Sequence, residues 1–204
     1  MADLCVPQRR DVAAFDERAP SYEQGWLGRL HHEIAQRTAV LAHATDGAPR
    51  RVLDVGCGTG YLLRLLEERY PGSTELDGID PAPNMVAAAS AVATGGRTKF
   101  SVGVAEHLPY PDGAFDLVVS TTSFDHWADQ QAGLRECARV LASDGHLVLV
   151  DQFSLWLLPT LLGSRRAKAR TRSRANRLLR AAGFKSVSWH PTYAAIIQAV
   201  TAAR

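Results

Sequence analysis

Apolar residues along the chain keep two rhythms. From Phe15 to Ala44 they fall at Trp26, Leu27, Leu30, Ile34, Val40 and Leu41, close to the period of a helix. Pro20 and Gly25 divide that stretch into shorter helices, and GAPR at 47–50 turns the chain. After Arg50, short apolar runs bounded by turn residues take over. RRVLDVG, TELDGID, TKFSVGVA, FDLVVSTTS and HLVLVDQF predict five strands. Between them YLLRLLEERYPG, PAPNMVAAASAVATGG and ADQQAGLRECARVLASDG predict helices, stopped at Pro71 and Gly72, at Gly95 and Gly96, and at Gly145. RANRLLRAAGF predicts a last helix ending at Gly183. KSVSWHP and YAAIIQAVTAA predict two closing strands that turn at WHPTY.

Strands alternating with helices of about 10–15 residues require right-handed crossovers, which build a parallel sheet covered on both faces. The closing pair has only a short connection and must form a hairpin, so one strand runs antiparallel. The expectation is an α/β, doubly wound sheet of seven mostly parallel strands with a C-terminal antiparallel hairpin strand. One domain is expected over 1–204, with an N-terminal helical lid at 1–48, a core at 49–204 and a cap insertion at 152–175.

Composition narrows the class. The 204 residues, 46% hydrophobic and 22% charged, suit one soluble globular domain. A net charge of +2 is too small to imply a nucleic-acid partner. No apolar run is long enough to span a bilayer, and MADLCVPQRRDVAAF lacks the apolar core and cleavage site of a signal peptide. Cys5, Cys57 and Cys137 form no C-x-x-C pair, which argues against disulfides and zinc and fits a reducing cytoplasm.

The chemistry begins at VLDVGCGTG, Val52 to Gly60. Glycine is costly to order, so the cluster marks a backbone that approaches something closely. The loop ends a strand and opens a helix, where free N–H groups can receive a carboxylate or phosphate. Asp80 ends the next strand, 20 residues after Gly60, about where an acid meets a ribose hydroxyl pair. A dinucleotide fingerprint would need glycine where Tyr61 stands, and no G-K-[ST] follows for a P-loop. A nucleoside with a small anion and no phosphates remains, and S-adenosylmethionine fits.

VLDVGCGTG, GIDPAPNM, GVAEHLPYPDGAFDLVVS and ECARVLASDGHLVLVD together resemble the successive motifs of the class I S-adenosylmethionine-dependent methyltransferases. The flavour is that of the small-molecule group that includes the ubiquinone/menaquinone C-methyltransferases, and the likeness runs from about Phe15 to the C-terminus. It implies a Rossmann-like fold, S-adenosyl-L-methionine as cofactor and S-adenosyl-L-homocysteine as product. It also implies roles. Gly56, Cys57 and Gly58 would lie against the methionine part, with Asp54 supporting its amino group and Tyr22 closing over its carboxylate. Asp80 would take the ribose hydroxyls, Met85 would flank the adenine, and Ala105 and Glu106 would bracket its edge. Thr121 would face the sulfonium. One departure is Val104, where the family often has Asp or Asn to accept from the adenine amino group; recognition would then rest on backbone and packing.

Methyl transfer needs a nucleophile held in line and water excluded. A base is needed only where the acceptor's proton leaves early. His126 in SFDHWAD is the catalytic candidate, because that loop borders the donor methyl in this fold and imidazole titrates near neutral pH. His31 and His32 are adjacent on the lid, where one could point into the site or both could face solvent. Trp26 and Trp127 suit packing, or a wall over a flat acceptor. Asp125, Asp129 and Asp151 have no spacing that demands an ion, so no metal is expected. STTS stands where a nucleic-base methyltransferase would carry an N-P-P-Y-type tetrapeptide, so no DNA partner is expected.

FSLWLLPTLLG is apolar, and SRRAKARTRSRANR then carries seven basic residues and no acid. A substrate cap with a solvated basic face is expected there. Peripheral membrane contact through 153–175 is an alternative. An RNA-facing patch at 165–180 is another, disfavoured by the apolar half. The reading is methyl transfer to oxygen or carbon of a small organic acceptor with an apolar or aromatic scaffold. The alternatives are an RNA-modifying methyltransferase and a non-catalytic S-adenosylmethionine-binding protein. Acceptor and oligomeric state are not encoded in any motif.

Overall fold

Seven strands form one sheet in the order β3-β2-β1-β4-β5-β7-β6 in the computed structural model, which describes residues 10–93, 96–153, 171–193 and 196–204. The strands are β1 (Arg51–Val55), β2 (Glu75–Asp80), β3 (Thr98–Val102), β4 (Phe115–Thr121), β5 (Leu141–Gln152), β6 (Ser186–Tyr193) and β7 (Ile197–Ala203). The described helices are α1 (Arg10–Arg18), α2 (Gly25–Thr45), α3 (Tyr61–Arg69), α4 (Pro83–Val92), α5 (Gln130–Val140) and α6 (Arg172–Ala181). β1 to β5 run parallel. β7 lies antiparallel between β5 and β6, so the hairpin inserts its second strand into the sheet.

The sheet is apolar on both faces because helices cover both. Val52, Leu117, Val119, Val148 and Val150 pack under α2 and α3, against Ile34, Ala39, Leu63 and Leu66. Leu53, Val55, Val118, Leu147 and Leu149 point the other way, toward Leu134 and Cys137 of α5 and Leu179 of α6. At about 25 cal/mol per Å² of apolar surface, each such side chain contributes roughly 1.5–3 kcal/mol. β1 and β4 are neighbours although two strands separate them in sequence, so the strand order reverses between them. Such a switch point opens a crevice beyond the carboxyl ends of the strands.

Two expected boundaries move. α5 stops at Val140 instead of Gly145, because Leu141 turns extended, becomes fully buried and pairs with Phe115. Ala142–Gly145 bulge out before His146 resumes the ladder opposite Leu117. The closing hairpin does not turn at WHPTY, since Trp189 to Tyr193 belong to β6 and the reversal lies between Tyr193 and Ile197. Pro191 is tolerated there because β6 is an edge strand.

The N-terminal segment expected to be a lid holds two helices, α1 and α2. Val12 and Phe15 of α1 pack with Tyr22 against Ala82 and Met85, and Asp16 accepts from the Asn84 backbone N–H at 2.7 Å and its side-chain amide at 3.0 Å. Of the expected cap, 154–170 lie outside the described residues, and with them most of the proposed membrane contact and the first part of the basic patch. In the described remainder, Arg172 donates to Gln198 and lies over the Trp189 ring. Among the described residues no helix is long and apolar enough to cross a membrane.

Candidate functional site

The crevice at the switch point holds two adjoining spaces. The larger, about 340 Å³, is lined by Tyr22, Gly56, Gly58, Asp80, Met85, Ala105, Glu106, Thr121 and His126 among others. The smaller, about 60 Å³, lies beneath α2 and is bordered by Asp54, Cys57, His31 and His32. Tyr22, Gly56, Gly58, Thr121 and Thr122 border both. Every residue singled out for the cofactor or catalysis therefore touches one space or the other. Val12, Phe15, Trp127 and Ala128 make much of the larger wall apolar. Val104 also faces that space, and Trp26 is 66% exposed on the outer face of α2.

The glycine loop is shaped by its neighbours. Gly56 has φ +80°, and a Cβ there would overlap the Ser123 hydroxyl. That hydroxyl stitches the switch point, lying 2.9 Å from Val55 O, 2.8 Å from Ser120 Oγ and 3.3 Å from Trp127 Nε1. The expectation that the loop offers free amides is overturned for four of its five residues. Gly56 and Cys57 N–H both donate to Ile79 O, Gly60 N–H donates to Cys57 O, and Gly58 N–H donates to Asp80 Oδ2 at 2.9 Å. Three of these four donors go to β2, whose end lies beside that of β1, and the Gly60 N–H closes a turn within the loop.

The Asp80 carboxylate is fixed from two sides, its Oδ1 accepting from Ala82 N–H at 2.9 Å. One lone pair on each oxygen remains to accept from a diol. Burial raises Asp80 above the ordinary carboxylate value, and the two amides offset only part of that rise. Asp54, 2% exposed, has an Oδ1 with no hydrogen-bond partner. Burial, and then the charge of Asp80, push its carboxyl up to about 8. Cys57 is raised by burial, and next by Asp54, to an inert thiol. Tyr22 is pushed up to about 12 by burial and then Asp80, so it is a phenol at neutral pH.

The lid is braced on the loop by residues that sequence reasoning missed. Glu23 Oε1 accepts from Thr59 Oγ1 at 2.6 Å and from Arg64 at 2.8 Å, and Glu23 Oε2 lies 3.2 Å from His32 Nε2. Burial alone would raise Glu23; the Thr59 and Arg64 hydrogen bonds outweigh it and hold the carboxyl below its ordinary value. His32 stacks on Tyr61 with centroids 3.8 Å apart, and His31 stacks on Tyr22 at 5.1 Å. The tyrosine that replaces the third glycine is thus a platform for the lid. His126 ends a 3₁₀ turn (Phe124–His126) and meets the Phe15 ring edge-on at 4.9 Å. It is exposed on the mouth of the larger space. Thr122 carries the one positive φ of a non-glycine residue among those described, +53°, beside it.

The residues fit S-adenosylmethionine. Asp80 suits a ribose, the apolar larger space an adenine, and the unpaired Asp54 oxygen an ammonium. Among the described residues no group of three His, Cys, Asp or Glu is placed to hold a metal ion.

Comparison with known proteins places the chain among methyltransferases. The family described as "Methyltransferase domain" matches residues 53–149. The chain is 41% identical to the demethylmenaquinone methyltransferase of Thermus thermophilus over 67% of this chain and 63% of that protein. It is 33% identical to the malonyl-[acyl-carrier protein] O-methyltransferase of Geobacter sulfurreducens over 96% of this chain and 80% of that one. The alignments span 63% and 48% of two demethylmenaquinone methyltransferases, from Thermus thermophilus and Deinococcus radiodurans. Among solved structures, a chain of the Haloferax volcanii complex containing the Trm112 methyltransferase activator superposes with a TM-score of 0.79 at 21% identity, covering 96% of both chains. A SAM-dependent methyltransferase from Aquifex aeolicus gives 0.68 at 20% identity, covering 96% and 99%. At such identities the structures establish the fold alone.

Proposed function

Since the chain belongs to the class I S-adenosylmethionine-dependent methyltransferases, we propose that it methylates oxygen or carbon of a small acceptor with an apolar or aromatic scaffold. The observation that carries this is the pairing of a small space bordered by Asp54 and His31 with a larger, more apolar one across Gly56, Gly58 and Thr121. When bound, S-adenosylmethionine supplies an electrophilic methyl on a sulfonium. The chain's own work is placement. Asp80 orients the nucleoside, Asp54 takes the ammonium, and Met85, Ala105 and Glu106 close around the base. Phe15, Trp127 and Ala128 exclude water and offer a flat acceptor an apolar wall. His126, at the mouth, accepts the acceptor's proton where the nucleophile is a phenol or an acidic carbon.

An acceptor like that in the name of the Thermus thermophilus relative, a demethylated menaquinone, suits those walls. The test is transfer of labelled methyl from S-adenosylmethionine to a panel of quinols, phenols and acyl-carrier thioesters. Turnover confined to aromatic acceptors supports the reading. Calorimetric binding of S-adenosylhomocysteine with no turnover on any acceptor supports a binding protein instead, and binding of NAD alone defeats both. Methylation of RNA, with steeply salt-dependent binding, would move the activity to the basic 165–180 segment.

A further inference from the structure

The small space beside the glycine loop is furnished for a zwitterion. Four buried side-chain atoms without a hydrogen-bond partner belong to residues on its walls: Asp54 Oδ1, His31 Nδ1, Thr121 Oγ1 and His32 Nε2, the last facing the Glu23 carboxylate at 3.2 Å. An unpaired buried polar atom costs about 1–3 kcal/mol, so the three that face no charged partner mark a place where a ligand completes the bonding. Asp54 supplies the negative side. The opposite side does not come from the amides of Gly56, Cys57, Gly58 and Gly60, which already donate within the protein. Among the described residues on those walls there is no lysine or arginine, and the basic side chains are His31 and His32; burial, then the charges of Arg18 and His32, lower His31, so it serves as a neutral N–H donor. His32 is engaged, stacked on Tyr61 and placed against Glu23. His31 is held by its stack on Tyr22, with one ring nitrogen left over.

The geometry points to His31 as the residue that donates a hydrogen bond to the carboxylate of the donor's amino-acid tail, opposite Asp54. This rests on the methyltransferase reading and gives the tail a partner that the glycine motif does not provide. It also explains why the lid is braced so firmly. Glu23, tied to Thr59 and Arg64, fixes the start of α2 and so sets His31 over the loop.

The test separates tail from nucleoside. Calorimetry compares S-adenosylhomocysteine with 5′-methylthioadenosine, which keeps the nucleoside and thioether and lacks the amino-acid tail. His31→Phe retains a ring to stack on Tyr22 and loses both ring nitrogens; His31→Gln retains a donor. We expect His31→Phe to weaken S-adenosylhomocysteine about ten- to a hundredfold, the worth of one hydrogen bond to a charged group, and to leave 5′-methylthioadenosine within about twofold. His31→Gln should recover part of the loss. Unchanged S-adenosylhomocysteine affinity in His31→Phe overturns the inference. Equal weakening of both ligands also overturns it, because His31 would then act by holding α2. If the wild-type protein binds neither ligand, the methyltransferase reading falls and the inference with it; in the other outcomes wild-type binding stands.

Discussion

Asp54→Asn should stabilise the ligand-free protein while weakening its grip on the cofactor. The Asp54 carboxyl is buried with one oxygen unpaired, and its ordinary value of 3.8 rises to about 8. The sign follows from linkage. Between those two values the folded state holds a proton that the unfolded chain has released, so stability falls as pH rises, by about 1.4 kcal/mol per unit. From 3.8 to 7 is roughly three units, or about 4 kcal/mol as an upper limit at pH 7. Asparagine matches the protonated carboxyl in shape and has no proton to lose. The two proteins should therefore be alike near pH 4, and the variant more stable near pH 8. Urea unfolding followed by tryptophan fluorescence at half-unit steps from pH 4.5 to 8.5 measures the difference, in which shared contributions such as Asp77 cancel. Adding S-adenosylhomocysteine should reverse the order at pH 8, because the ligand's ammonium pairs with ionised Asp54 and gains nothing from the amide. Parallel stability curves for the two proteins, with no divergence above pH 5, would refute the reasoning that Asp54 is held neutral by burial.

Gly28→Ala should unseat the lid, because a Cβ there would overlap the Glu23 carbonyl; a loss of about 1–3 kcal/mol in thermal unfolding, with weaker S-adenosylhomocysteine binding, is expected. Glu23→Gln should weaken cofactor binding through its ties to Thr59, Arg64 and His32, costing about 1 kcal/mol at this partly exposed site. His126→Ala should cut turnover on a phenolic acceptor about a hundredfold and leave S-adenosylhomocysteine affinity unchanged; full activity at every pH would remove it from the chemistry. Gly133→Ala should press on the Trp127 ring and reshape the acceptor wall, raising KM for the acceptor more than it changes cofactor affinity.

The positions of the glycine loop and Asp80 were legible in the sequence because backbone constraints make them. The glycine loop must turn sharply at the end of β1, and Asp80 must end β2 beside it, so both leave fixed spacings. What the loop's amides do was not legible, since it depends on β1–β2 register, which sets Ile79 O against two of them. The α5–β5 boundary was misread for a related reason: Leu141 leaves its helix for a sheet partner, Phe115, that lies distant in sequence. His31 carried no pattern at all. Its place over the loop depends on contacts distant in sequence, among them Glu23 with Arg64, 41 residues away, and Ile34 and Ala39 of α2 against the sheet. The acceptor side is harder still. Its walls are side chains of α1, of the 3₁₀ turn at Phe124–His126 and of the segment before α5, three elements that meet only after the sheet has formed. The proposed donor site is therefore built from the ends of one rigid sheet and constrains sequence spacing. The proposed acceptor site is built from docked pieces and constrains only shape, so it leaves apolar residues such as Val12, Phe15 and Trp127 that read in the sequence as ordinary packing.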